Sequence, residues 1–412
     1  MAKSPIKVHY LSNGIPVVYE VLSHVRSVTF KVHVGVGTRH ENEKNHGVAH
    51  FLEHMLFKGT EKRTPFDIAN DIERHGGMFN AYTSKEETVF YTSSIDESLF
   101  TSIDVLSDML QNSLMNDTDI KQEKNVVIEE IKGAYDNPED IIWDYFIEEL
   151  LAPNWVGKPT LGTKKSVSKL TKTQVLDFWK TNYTAENMTI VVVGNFDEVS
   201  LIKELEHKFA SFNSSKKVSH TIQPTENIFS RTYERDITQS HIVLGNRICP
   251  FNHEDKFKLI LLNNILGSGM SSRMFQNIRE KYGFAYNVYS SMDFYSDHGL
   301  FYSYIGTDEK HIEASIDLVK KEIGTFLKGE ISDQEIDDVK CQTKGTILLG
   351  LESNSRRADL LLRQFIGYEQ FYTPEEQISM FESVSKSELI EIAEKYLQPD
   401  TFSATIIKSK NM

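Results

Sequence analysis

The sequence predicts an α+β chain in which one domain plan is used twice. Strand-like and helix-like patterns are interleaved, a polar stretch divides the chain near its middle, and the order of motifs before that stretch recurs after it. Val28 to Val36 alternates apolar with other residues, as a half-buried strand does. Leu99 to Leu110 carries a helical pattern, and Met188 to Val193 is a short apolar run closed by Gly194-Asn195, which reads as a strand. Ser211 to Glu226 holds Asn213-Ser214-Ser215-Lys216-Lys217 and Pro224, and it reads as a linker. The expected division is therefore 1–210, a linker over 211–228, and a second domain over 229–412.

The repeat can be followed residue by residue. His50 to Gly59 aligns with Ile260 to Gly269 at an offset of 210, and Ile72-Glu73-Arg74 aligns with Ile278-Arg279-Glu280 at 206. Ser102-Ile103-Asp104 aligns with Ser315-Ile316-Asp317 at 213, and Glu123 to Gly133 with Glu335 to Gly345 at 212. Offsets that drift by a few residues are what loop insertions leave behind.

The first half carries the chemistry. His50-Phe51-Leu52-Glu53-His54 places two imidazoles one helical turn apart on one face, about 5 to 6 Å between Cβ atoms, a spacing that suits a shared metal ion. Glu53 stands beside them, and an acidic pair, Glu129-Glu130, follows in a helix-like stretch. Two-His, one-Glu zinc hydrolases keep an open position for a water whose proton an adjacent carboxylate takes. H-x-x-E-H is the inverted form of the zincin motif. A chain with 14 His and 59 acidic residues yields such a window by chance about 0.07 times, so coincidence is a poor account. Val48, Ala49, Phe51, Leu52, Met55, Leu56 and Phe57 make the segment apolar nearly all round, which marks a buried helix whose polar groups need partners. Opposite His50, Glu53, His54 and Glu130 the second half carries Ile260, Asn263, Asn264 and Gln342, so it keeps the plan and lacks the chemistry.

Composition bounds the rest. The chain has 412 residues, 40% of them hydrophobic, enough for two full cores. Cys249 and Cys341 are its only cysteines and form no C-x-x-C pair, which disfavours disulfide scaffolding and thiolate metal sites. No apolar run is long enough to span a membrane, and the first residues lack the apolar core of a secretory signal. The expected compartment is the cytoplasm, or the mitochondrial matrix or periplasm for an already processed chain. A net charge of −14 argues against nucleic acid and favours basic partners.

These residues resemble the pitrilysin/insulinase family of zinc peptidases (inverzincins), in the branch of mitochondrial and bacterial processing peptidases. The resemblance runs through Gly47 to Thr60, Gly76-Gly77 with Asn80-Ala81-Tyr82-Thr83, Glu123 to Ile131, Gly162-Thr163, Gly194-Asn195, and Ser271-Ser272-Arg273 through Arg279, Gly283 and Tyr286. It departs at Pro153 to Pro159, where relatives commonly carry a His-Pro step. It implies two similar domains, each an antiparallel-rich sheet covered by helices, of the processing-peptidase or LuxS-like metallohydrolase type. It further implies one zinc per chain on His50, His54 and Glu130, with Glu53 as general base and Glu123 as supporting carboxylate; an ordinary exposed acid is the alternative for Glu123. Asn80 and Ala81 match the edge strand that takes up a peptide, and Phe57 an aromatic at the pocket beyond the cut, with a core phenylalanine as the alternative. Arg279 and Tyr286 match a pair brought over the zinc from the noncatalytic half. Asp140 and Asp144 match acids that meet basic substrate residues, with a solvated acidic face as the alternative. The expected function is zinc-dependent endopeptidase action on peptides or unfolded, presequence-like segments by a homodimer. The alternative is a noncatalytic or heterodimeric core subunit of the same fold.

Overall fold

A computed structural model describes residues 6–214, 221–222 and 227–410, so most of the expected linker, 215–220 and 223–226, lies outside the described residues. The first half runs β1 (Ile6–Tyr10), β2 (Pro16–Val21), β3 (Ser27–Val34), α1 (Val48–Leu56), α2 (Pro65–Glu73), β4 (Met78–Thr83), β5 (Thr88–Ile95), α3 (Leu99–Asn112), α4 (Asp117–Asp136), α5 (Pro138–Leu151), α6 (Lys164–Lys169), α7 (Lys172–Asn182), β6 (Met188–Gly194) and α8 (Glu198–Phe209). The second runs β7 (Ser230–Arg235), β8 (Ser240–Ile248), α9 (Lys256–Gly267), β9 (Ala285–Phe294), β10 (Gly299–Thr307), α10 (Ile312–Leu327), α11 (Asp333–Gly350), α12 (Asn354–Tyr368), α13 (Pro374–Glu382), α14 (Lys386–Tyr396) and β11 (Ser403–Ser409).

The sheets are ordered β1-β2-β6-β3-β5-β4 and β7-β11-β8-β10-β9. With β1 set aside, the two orders are the same plan. In each, the first strand of the half lies parallel to the last (β2 with β6, β7 with β11), and the remaining pairs are antiparallel. The helices correspond as well: the segments that align at offsets 210, 213 and 212 lie on α1 and α9, α3 and α10, and α4 and α11. The chain is thus a duplicated α+β fold of mixed, mostly antiparallel sheets covered by helices.

The compact units are not the two halves of the chain. One unit comprises Met1–Gly133, Lys158–His220 and Gly350–Phe371; the other comprises Ala134–Gly157, Thr221–Leu349 and Tyr372–Met412. Each unit takes one helix from the opposite half, and the two are counterparts: α12 completes the first unit and α5 the second. A division by chain order at 1–210 and 229–412 assigns both helices to the other unit.

Each borrowed helix covers a sheet face. In the first unit Ala358, Leu361 and Leu362 of α12 pack on Val18, Val191 and Val193. In the second, Ile142, Phe146 and Leu150 of α5 pack with Val243, Leu300, Tyr304 and Ile407. Burying each leucine or phenylalanine is worth about 1.5–3 kcal/mol. This arrangement corrects the expectation for β3. Its alternation suggests one wet face, but every residue from Val28 to Val34 is buried, because α12 lies over the side carrying Lys31 and His33.

Those polar alternates keep partners. Lys31 Nζ lies 2.6 Å from Asp359 Oδ1, Arg357 Nη1 2.7 Å from Glu20 Oε1, and Arg363 Nη2 2.8 Å from Glu87 Oε1. Only 3% of the Lys31 side chain is exposed, so Asp359 makes that buried ammonium tolerable. Asp359→Ala should lower the unfolding free energy by about 1–3 kcal/mol, the desolvation cost of a stranded buried group. Adding Lys31→Met to the same chain should recover most of the loss, as read by urea denaturation.

Candidate metal centre

Two helices of the first unit build the centre. α1 is buried, with Val48, Ala49, Phe51, Leu52, Met55 and Leu56 in the core, and it presents His50, Glu53 and His54 along its remaining face. Its entry is a tight crossing. Gly47, the residue before the helix, has φ 89°, and a Cβ there would lie 3.1 Å from the Gly162 Cα; Gly162 (φ 75°) faces it at 2.8 Å in the same sense. Both positions need glycine for conformation and for space. The buried Glu41 carboxylate then accepts from the Gly47 and Ala49 amides, each at 2.8 Å, and so satisfies two of the amides that the first turn leaves without partners. Burial pushes that carboxyl up to about 8, against the two amide bonds and the Lys85 charge, which favour the ionised form.

α4 supplies the acids. Glu123, Val127 and Glu130 follow at i, i+4 and i+7, so the two carboxylates flank a fully buried valine on one face. Glu130 Oε2 lies 3.5 Å from His54 Nε2 and 3.8 Å from His50 Nε2, and the two imidazole nitrogens are 3.2 Å apart. Tetrahedral zinc with ligand bonds near 2.0–2.1 Å holds its donors about 3.3 Å apart, so this set fits the ion. Among the described residues it is the cluster whose ligand atoms converge, all within 4.8 Å of one another.

The surroundings fix each ligand's state. Glu123 Oε1 lies 2.9 Å from His54 Nδ1 and Glu123 Oε2 2.5 Å from Lys58 Nζ. A proton on Nδ1 donated to Glu123 leaves the His54 Nε2 lone pair facing the centre. Burial, the largest influence on His54, is outweighed by Glu123, Glu130 and Glu53, which together raise its pKa. Burial, helped by His54, holds His50 down at about 3, so its imidazole is neutral. Glu123 is held below the usual carboxylate range because His54 and Lys58 outweigh its burial. Glu53, 9% exposed, is pushed up by burial, opposed by the hydroxyl of Thr83, which donates to Oε2 at 2.5 Å.

The other expected residues fall as follows. Glu129, the neighbour that the acidic pair left open as a ligand, is exposed and pairs with Lys132 at 2.6 Å. Asn80 and Ala81 lie on β4, the edge of the first sheet, and the Ala81 amide donates to Asn80 Oδ1 at 2.9 Å. Phe57 is half-buried, its ring 5.3 Å from Phe79 and 6.3 Å from Phe90, so it joins the core and also borders β4. In the second unit the Arg279 guanidinium lies 5.6 Å from the ring of Tyr286, a residue 77% exposed. Asp140 is exposed near the start of α5 and accepts from Asn137 at 2.8 Å, and Asp144 is half-buried one turn on. At the positions matching the metal centre, Asn263 accepts from Ser290 at 2.8 Å and Asn264 donates to Thr343 at 3.2 Å.

Sequence reasoning missed Glu41, Lys58 and Thr83. Lys58 was within reach of the pattern, since His50, His54 and Lys58 are spaced by four; Glu41 and Thr83 act from outside the helix and left no periodic signal.

A duplicated fold whose first copy carries the one converging His-His-Glu set found among the described residues defines a protein with a candidate metal site in one half. Residues 16–164 match the family model described as Insulinase (Peptidase family M16), and 169–343 match the one described as Peptidase M16 inactive domain. The uncharacterized zinc protease YmxG of Bacillus subtilis (strain 168) is 34% identical over 99% of both chains, and an uncharacterized zinc protease of Rickettsia felis is 33% identical over 98% of both. A protease from Helicobacter pylori shares the fold with a TM-score of 0.93 at 22% identity, covering 98% of this chain and 99% of its own. This chain belongs to the M16 (insulinase) family of peptidases. No helix among the described residues is long and apolar enough to cross a membrane.

Glu130→Gln, which copies the residue at Gln342, should remove most bound zinc, and Glu123→Gln should weaken binding about 10- to 100-fold by freeing the His54 ring. Metal analysis and competition with a chromophoric chelator measure both. Full occupancy in the Glu130→Gln chain would move the third ligand elsewhere.

Proposed function

We propose that the chain is a zinc-dependent endopeptidase that hydrolyses peptides or unfolded segments, binding one zinc per chain. The observation that carries this reading is the convergence of His50, His54 and Glu130 with the Glu53 carboxylate on the same helix face. Those three ligands would hold the ion, which when bound acts as a Lewis acid toward a carbonyl and lowers the pKa of water.

The chain's own groups do the rest. Thr83 occupies Glu53 Oε2, and Oε1, with no hydrogen-bond partner among the described residues, takes a proton from the attacking water and returns it to the leaving amine. β4, as an edge strand, offers main-chain groups to an extended peptide, with Asn80 and Ala81 in its middle and Phe57 bordering it. Arg279 and Tyr286 are donors suited to the oxyanion that forms at the scissile carbonyl. Their own half has no converging ligand set among the described residues, so in this reading they serve a zinc site of the first unit, in a homodimer that pairs the second half of one chain with the first half of another. Asp140 and Asp144 would favour basic residues near the cut.

Glu53→Gln should retain zinc and fold while losing peptide hydrolysis by about 10²- to 10⁴-fold, since an amide takes no proton from water. Activity near wild type would remove Glu53 from the role. Cleavage mapping on a random peptide library should show enrichment of Arg and Lys near the cut that weakens with salt and disappears in an Asp140→Asn, Asp144→Asn chain. An unchanged preference would return both acids to a solvated face. Mixing a Glu53→Gln chain with a Tyr286→Phe chain under exchange should restore activity toward one working site per mixed dimer. Proven exchange without recovery would place the donors in their own chain or outside the reaction.

A further inference from the structure

We propose that Thr83 is the positioning residue of the general base, and that through it the strand that receives the peptide sets the orientation of the carboxylate that activates water. The proposal rests on the reading of Glu53 as that base.

The Thr83 hydroxyl is committed. Its Oγ1 lies 2.5 Å from Glu53 Oε2, within the range of an O–H donating to a carboxylate, the stronger class of hydrogen bond. A second hydroxyl nearby belongs to Thr88, which faces Thr83 directly across the β4–β5 pair with the two Oγ1 atoms 3.4 Å apart, and a third, the buried Tyr183 hydroxyl, makes no hydrogen bond to Glu53. Thr88 donates its own proton to the Val36 carbonyl at 2.9 Å, so it does not compete for Glu53. With the carboxylate almost fully buried, a single donor on one oxygen decides which way the other points.

Position gives the bond its meaning. Thr83 is the last residue of β4, three and two positions after Asn80 and Ala81, so the strand that accepts a substrate ends on the group that holds the base. A peptide that orders β4 therefore also orders Glu53. The second half keeps a similar link without a base, from Ser290 on β9 to Asn263 on α9. A purely architectural role is thus the reading to beat, and the test must separate the two.

In the zinc-loaded full chain, Thr83→Val keeps the branched shape and removes the donor. It should lower kcat about 10- to 100-fold, the worth of a hydrogen bond to a charged group, with KM and zinc content unchanged. Thr83→Ser, which restores the hydroxyl, should return kcat to within about threefold of wild type. Urea unfolding of the metal-free chain gives a second readout that needs no turnover. Thr83→Val should shift the unfolding constant about tenfold or more in the wild-type background and little in a Glu53→Ala background. Absence of that coupling overturns the hydrogen bond. Coupling with unchanged kcat, or a lowered kcat that serine does not rescue, overturns positioning in favour of architecture. A wild-type chain that cuts no peptide when loaded with zinc is a different result: it sinks the peptidase reading, and the proposal falls with it.

Discussion

One carboxylate ties the candidate metal centre together. Glu123 on α4 bridges His54 and Lys58, the first within α1 and the second just beyond its end, so it fixes the register between the helix that carries the imidazoles and the helix that carries Glu130. Without that cross-link, three ligand atoms from two helices would have to stay within 3.8 Å of one another on packing alone. The same bond orients the His54 ring. Glu123 thus bears on both the placement and the proton of His54, and the α4 face that delivers it is the one that buries Ile120 and Val127.

Duplication explains how such a site is housed. Two copies of one plan share strand order and helix order, yet amides and hydroxyls in the second copy replace the charged groups of the first. Asn263 with Ser290 and Asn264 with Thr343 bond to each other, which spares that half the desolvation cost of ionised residues with no ion to hold. The second half keeps Arg279 beside the ring of the largely exposed Tyr286.

Much of this was legible in the chain itself. The offsets of 210, 213 and 212 placed α9, α10 and α11 against α1, α3 and α4 because residue matches within helices survive divergence. The five residues from His50 to His54 pointed to two of the three converging donors because ligand spacing on a helix is a local matter, whereas only the family resemblance singled out Glu130 from the Glu129-Glu130 pair. The exchange of α5 and α12 was not legible. An amphipathic stripe says that a helix is covered, and says nothing of which sheet covers it. The alternation of β3 misled for the same reason: Lys31 and His33 look like solvent-facing residues until Asp359 and Glu87 are placed against them. Glu41 and Thr83 escaped because they reach α1 from loop and strand, through contacts that only the folded chain creates.

The borrowed helices also impose a schedule on synthesis. A chain emerging from the ribosome has made all of the first sheet by residue 194, yet the helix that covers Val18, Val191 and Val193 begins only at Asn354. At about 5–20 residues per second, the intervening 160 residues leave an apolar sheet face uncovered for roughly 8–30 seconds. Meanwhile α5 waits, its own apolar side ready, for strands not yet made. Neither unit can finish before the other has largely been translated, and a truncation anywhere before residue 368 leaves both units incomplete.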